Sequence, residues 1–328
     1  MRPAGHRGSK PEWAEPELES ALGNPVFILG LHRSGTTLLY EMLAASGCFN
    51  IITARHVICF DELRNGCVDR ERSRSRSRER FARLGLSSRG VDIVDVGPDT
   101  PEEYGFILDN LHAGMSITKR HFHVFRSICE MIQSDYGCDR PLLLKNPWDF
   151  GHGRLIKTLI PDARIVYIHR NPFHVLSSLY RIVVTATIQR DAYLSMLSDR
   201  YASLVESEFP WRAVQRLGAA KGGLLARGLI YQTGRSASSY LKSVRTSSAG
   251  GRIDVRYETL CRQPYETMTT ILEFLGLNGE QVDYRAMIGA HTSQVVPEIA
   301  RERDLVLGKL SDYASAVGYD LSKLAADF

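Results

Sequence analysis

PVFILGLHRSGTTLL, Pro25 to Leu39, is the stretch that decides the fold: an apolar run breaks at a glycine-bounded turn and then resumes as a helix. Val26 to Leu29 has the β-branched and aromatic content of a buried parallel strand. After Thr36 the apolar residues Leu38, Leu39, Met42 and Leu43 return at helical spacing. Gly30 and Gly35 bracket four residues, so the N–H groups of the turn can converge on an anion while the new helix presents its positive end. Strand, loop and helix in this order predict an anion-binding corner in an α/β fold. In a Walker A loop a Lys follows the second glycine and reaches the terminal phosphates. Here Thr36 occupies that position and Arg33 introduces the cation earlier, so the loop is not a nucleoside triphosphatase signature.

A second strand-to-helix corner lies in PDARIVYIHRNPFHVLSSLYR, Pro161 to Arg181. Ile165 to Ile168 reads as a strand, and Pro172 stands where a first-turn proline is tolerated. Arg170 follows the strand, and Ser178 comes eight residues later. A guanidinium can hold two phosphate oxygens at once, and a hydroxyl on the following helix can complete the cage.

The loop GLHRSGTT resembles the 5′-phosphosulfate loop of sulfotransferases that use 3′-phosphoadenosine-5′-phosphosulfate (PAPS), and the Arg170 to Ser178 spacing resembles their 3′-phosphate motif. LLLKNPWDF, Leu142 to Phe150, is similar to the K-[SDN]-P segment of that family, which makes Lys145 a candidate for the sulfate or the acceptor. IDVRYETLCRQP, from Ile253, looks like its V-R-Y-E segment and puts Tyr257 on the cofactor side; Leu272, Leu275 and Leu277 behind it read as core. The resemblance implies a single α/β domain with a central, mostly parallel sheet flanked by helices, the P-loop NTPase-like sulfotransferase core. It further implies PAPS held by Arg33, Ser34, Gly35, Thr36, Thr37, Arg170, Ser178 and Tyr257, and PAP as the product.

Moving a sulfuryl group in line to a hydroxyl or amine requires cations where charge grows on the leaving phosphate, a base for the acceptor proton, and exclusion of water. Arg33 and the loop amides supply the first, with no metal. The family commonly has a Glu or His after the second strand, which selects His56 in ITARHVICFDEL; an ordinary imidazole titrates in the right range. Asp61, Glu62, Glu102 and Glu103 are substitutes, and His32 is expected to shape the turn. Two rival classes are a P-loop kinase-like phosphotransferase, against which stands the missing Gly-Lys-Ser/Thr, and an RNA-binding protein resting on the Arg/Ser run RERSRSRSRER, Arg70 to Arg80. The acceptor is expected to be a small molecule or carbohydrate, as in natural product biosynthesis, with nucleic acid not expected as a partner.

The rest of the chain bounds these expectations. Its 328 residues, 44% hydrophobic, suit one globular domain with a sizeable core. A net charge of +4 suits an anionic ligand. Residues 1–24 read as a flexible tail with a short helix near Pro16 to Leu22, and 25–328 as the catalytic domain, with a basic insert or lid at 64–90. Asn50 to Ile58 is a plausible second strand. Pro101 with Glu102 and Glu103 predicts a helix start, followed by a helix in HFHVFRSICEMI, and residues 185–245 form a long helical region. Six cysteines without metal spacing read as reduced thiols, and no apolar leader or spanning run occurs, so a cytoplasmic protein without a membrane anchor is expected.

Overall fold

A computed structural model describes residues 24–86, 96–137, 140–188, 190–208, 211–212, 223–245, 249–289 and 294–325. Five strands, β1 (Val26–Gly30), β2 (Asn50–Ile51), β3 (Leu142–Lys145), β4 (Arg164–His169) and β5 (Arg252–Arg256), form one sheet in the order β2-β3-β1-β4-β5. Every neighbouring pair is parallel, with Phe27 set against Leu144 on one side and Ile165 on the other. Alternate strand residues serve opposite faces. Phe27, Leu29, Leu142, Leu144, Ile165 and Tyr167 enter one core, and Val26, Ile28, Leu143, Val166, Ile168 and Val255 enter the other. The near-continuous apolar runs follow from this two-sided burial.

The helices of the first half are α1 (Thr36–Ala45), α2 (Ala54–Ile58), α3 (Phe60–Arg64), α4 (Arg70–Arg83), α5 (Tyr104–Asn110), α6 (Phe122–Tyr136) and α7 (Gly153–Leu159). After β4 come α8 (Pro172–Ile188), α9 (Ala192–Leu197), α10 (Asp199–Glu206), α11 (Gly223–Arg245), α12 (Tyr257–Arg262), α13 (Pro264–Leu275), α14 (Pro297–Ala300), α15 (Arg303–Ala316) and α16 (Leu321–Leu324). On one face α1 contributes Leu39, Tyr40, Met42 and Leu43, and α13 contributes Met268, Ile271 and Leu272. The opposite core gathers α5 to α8, α11 and α15. After β1 the chain leaves toward β2 and β3, whereas after β4 it leaves toward β5. The carboxyl ends of β1 and β4 therefore flank a topological switch point, the place where open α/β sheets bind ligands.

Three expectations change. The second strand stops at Ile51 because Thr53 turns the chain and caps α2 in a reciprocal box with His56. Glu103, rather than Pro101, is the N-cap of α5; Pro101 instead bridges to Thr53. The helical region after 185 is broken at Ser198, whose hydroxyl accepts from the Tyr201 N–H and starts α10. The Arg/Ser run is a regular helix: Ser73, Ser77 and Phe81 of α4 are buried at four-residue spacing, and Arg72, Arg76, Arg78 and Arg80 are exposed. The proposed tail lies outside the described residues except for Asn24.

Candidate active site

The loop between β1 and α1 has the backbone of an anion cradle. Arg33 (φ 70°) and Gly35 (φ 99°) take the left-handed conformation, and Ser34 N–H donates to the Leu31 carbonyl (3.0 Å). Holding a non-glycine residue there costs on the order of 1 kcal/mol, a strain typical of functional loops. The two glycines are sterically required. A Cβ on Gly30 would lie 2.4 Å from Ser34 Oγ and 2.7 Å from the Ile168 carbonyl oxygen, and one on Gly35 would lie 2.2 Å from Tyr257 Cδ2. Ser34 is fully buried, yet its hydroxyl has no hydrogen-bond partner. A buried orphan hydroxyl is costly unless a ligand completes it.

The second corner folds onto the first. Arg170 Nη1 donates to the Arg33 carbonyl (3.2 Å), and Arg33 Nε donates to Ser178 Oγ on α8 (3.1 Å). Residues 137 apart in the chain thereby meet at the switch point. The Arg170 guanidinium lies over the Tyr257 ring, 4.2 Å from its centre, and the same ring packs against Gly35. Glu258 holds this corner in place by accepting from Asn171 N–H (3.1 Å) and from the Tyr319 hydroxyl, which also donates to the His169 carbonyl (3.2 Å).

Across the loop, β3 delivers Lys145. Its ammonium, 1% exposed, donates to Thr37 Oγ1 (3.2 Å) and pairs with Glu103 (3.4 Å), the residue capping α5. His32 of the loop packs edge-on against Trp148 at 4.5 Å between ring centres. Burial lowers the His32 pKa; Glu103 opposes that, and Arg33 and Lys145 reinforce it, so the ring is neutral at pH 7. Lys145, Glu103, His32 and Thr37 thus form one cluster beside the anion cradle.

His56 lies in a different setting. Thr53 N–H donates to its Nδ1 (3.0 Å), which puts the proton on Nε2, 3.1 Å from Asp135 Oδ2. Arg55, itself buried, bonds both oxygens of the same carboxylate, at 3.2 and 2.5 Å. Burial brings the His56 pKa down to about 4, only partly offset by Asp135. Burial alone would raise the Asp135 carboxyl, but hydrogen bonds from His56 and Arg55 outweigh it and hold the group well below the usual carboxylate range. None of these contacts is a loop residue, so the structure brings Arg33, Ser34, Gly35, Thr36, Thr37, Lys145, Arg170, Ser178 and Tyr257 into one region and leaves His56 outside their contact network. Asp61 and Glu62 lie on α3, where Asp61 pairs with Arg64 and Glu62 with Arg76 of α4. Glu102 accepts from the Tyr193 hydroxyl.

The comparison with known proteins coincides with this geometry. The profile of the sulfotransferase family matches residues 25–213, the span holding both strand-to-helix corners and Lys145. The chain belongs to the sulfotransferase family. The fold is shared with sulfotransferase STF9 from Mycobacterium avium, 14% identical, with a TM-score of 0.67 over 93% of this chain and 80% of that one. Sulfotransferase STF1 from Mycobacterium tuberculosis H37Rv is 16% identical, with a TM-score of 0.51 over 89% of this chain and 79% of that one. No curated protein sequence matches significantly. No described helix is long and apolar enough to cross a membrane.

Sequence reasoning did not single out Trp148 or Glu258, and it ranked Glu103 below His56. Glu258 carries a local signal, since it follows Tyr257 in the VRYE segment. The pairing of Glu103 with Lys145 depends on how α5 meets β3, which no spacing in the chain encodes.

Proposed function

We propose that this sulfotransferase moves the sulfuryl group from PAPS to a hydroxyl or amine of a small-molecule or carbohydrate acceptor and releases PAP. The observation that carries this is the junction of the two anion corners, where Arg170 grips the Arg33 carbonyl and Ser178 the Arg33 guanidinium. The residues fit a carrier with two separate anionic groups. The cradle around Gly30 and Gly35 admits no Cβ, the Ser34 hydroxyl lacks an acceptor, and Tyr257 backs Arg170 with a flat face. Arg33, Ser34, Gly35, Thr36 and Thr37 would hold the 5′ phosphosulfate; Arg170, Ser178 and Tyr257 would hold the 3′-phosphate side. When bound, PAPS supplies an activated sulfonate on a stable leaving group.

The chain's own residues supply the rest. Arg33 and Lys145 are placed to stabilise charge that grows on the departing phosphate. Glu103 is the base: its carboxylate is 17% exposed, and the pairing with Lys145 sets it next to the cradle. As Lys145 turns to the leaving group, Glu103 is released to accept the acceptor proton. Calorimetric titration with PAP and with ATP tests the assignment. Selective PAP binding that disappears in Arg170→Ala is the expected result, whereas ATP binding with Mg²⁺ at equal or higher affinity would favour the kinase-like alternative.

A further inference from the structure

The K-N-P segment ends in a tryptophan whose environment is unusual. Trp148 is 43% exposed, while Trp211, the other described tryptophan, is 3% exposed. A mobile surface side chain would need no explanation, but this one stands on a rigid turn. The next residue, Asp149, is fully buried and accepts from the Tyr104 hydroxyl (2.6 Å), Ile117 N–H (3.1 Å) and Asn146 Nδ2 (2.9 Å), with His152 Nδ1 at 2.6 Å. Ser116 Oγ donates to the Trp148 carbonyl (3.3 Å). The backbone on both sides of the indole is therefore pinned, and an apolar surface of this size is left in water at a cost proportional to its area.

Its position joins it to the transfer site. Trp148 follows Lys145 by three residues, and its ring meets the edge of His32, which senses the charges of Glu103, Lys145 and Arg33. One side of the indole is thus occupied by His32 of the loop, whose ring is in turn within electrostatic reach of Glu103 and Lys145, and the rest of the indole is accessible beside that loop residue. Flat apolar surfaces of this kind receive rings, aromatic ones by offset stacking and sugars through their C–H faces.

We propose that Trp148 is an acceptor platform: it stacks a ring-bearing acceptor, phenolic or glycosidic, so that the ring hydroxyl reaches Glu103 and Lys145. The proposal rests on the PAPS-dependent reading above and adds the acceptor class to it. An open-chain alcohol lacks the face that the indole selects.

Three matched acceptors test it: 4-methylphenol, methyl β-D-glucopyranoside and 1-hexanol, each supplied with PAPS. At least one ring acceptor is expected to exceed hexanol about tenfold in kcat/KM, and the phenol and glucoside arms identify which ring is used. Trp148→Ala should raise that acceptor's KM about tenfold and remove its advantage, Trp148→Phe should retain most of it, and both variants should bind PAP as the parent does. Saturation-transfer NMR on the PAP-loaded protein reads ring binding independently of turnover; its signal should vanish in Trp148→Ala. Equal use of hexanol, an unchanged KM in Trp148→Ala, or no ring binding by NMR overturns the platform. Failure to bind PAP would instead defeat the PAPS assignment, and the same NMR measurement without PAP still decides the platform.

Discussion

Two corners of the molecule set a carboxylate beside a cation, Asp135 with Arg55 and Glu103 with Lys145, and they are built in opposite ways. At Asp135 both carboxylate oxygens and both His56 ring nitrogens are consumed by contacts within the chain, and the side chains of Arg55 and Asp135 are 2% and 5% exposed. At Glu103 one long pair of 3.4 Å among the described residues ties the carboxylate to a lysine that also reaches the loop after β1 through Thr37. The first network is closed and orders α2 against α6 and, through the Arg55 bond to Ser73 Oγ (2.9 Å), α4. The second is tied more loosely, and the function proposed above rests on that difference. The His56 imidazole is thereby enclosed in contacts within the chain, and this contrast is what favours Glu103 as the base in the function proposed above.

The largest effects should separate the corners by kind. Glu103→Gln is expected to lower the chemical step by about 10²- to 10⁴-fold with PAP affinity retained. Single-turnover kinetics at saturating PAPS measures this, and a variant within threefold of the parent would return the role to another group. Asp135→Ala should do the reverse, costing about 3–5 kcal/mol in stability by stranding the buried Arg55 while folded molecules keep their turnover. Urea unfolding set beside activity per folded molecule makes that distinction. A stable but inactive Asp135→Ala would mean that the closed corner takes part in the reaction after all.

Acid sharpens the same contrast. With a folded pKa of about 4 against an ordinary 6.5, His56 stays neutral in the native state while it protonates in the unfolded chain. The unfolded state therefore binds more protons between these values, so stability falls as pH drops from 6.5 toward 4, by roughly 3 kcal/mol for this group alone. Asp135 has the same sign at lower pH: its carboxyl is depressed in the fold, and its contribution is lost as pH falls below the ordinary value of 3.8. Replacing His56 with Gln should flatten the upper part of this profile in melting experiments at fixed ionic strength. An unchanged slope between pH 6.5 and 4 would show that the ring is solvated.

On the cofactor side, Arg170→Ala should weaken PAP by about 2 kcal/mol, the worth of a charge-assisted contact, and leave the acceptor's KM little changed. Calorimetry that shows equal affinity would detach β4 from phosphate binding.

The two strand-to-helix corners were legible because each is a local event. Gly30, Arg33 and Gly35 lie within one turn, and Arg170 and Ser178 within one strand-to-helix step, so backbone geometry and residue type suffice. The apolar runs of β1 and β4 were equally plain. Residue type and position put His56 ahead of Glu103: each follows a strand or opens a helix, and only the meeting of α6 with α2, and of α5 with β3, decides which polar group is closed off. The stop of β2 at Ile51 was hidden for a related reason, because Val57 and Ile58 suit a strand while the Thr53–His56 box commits them to a helix.

The smallest expected effect tests the outer face of α4. The helix from Arg70 to Arg83 carries seven arginines and two glutamates, yet Arg78 and Arg80 have no ion pair among the described residues, and both are exposed. Arg74 pairs with Asp99 (2.9 Å) and Arg76 with Glu62 (2.7 Å), so the charges that anchor α4 are others. Replacing Arg78 and Arg80 together by Gln should shift stability by no more than about 0.5 kcal/mol. The sign should lean toward stabilisation, because each arginine repels a like charge one turn earlier, Arg74 and Arg76 respectively. Melting at low and at high salt checks this, since screening should erase the gain. A loss above about 1 kcal/mol that persists in high salt would mean that these guanidiniums are packed rather than solvated, and the distinction between a closed interior network and an indifferent charged surface would have to be redrawn for α4.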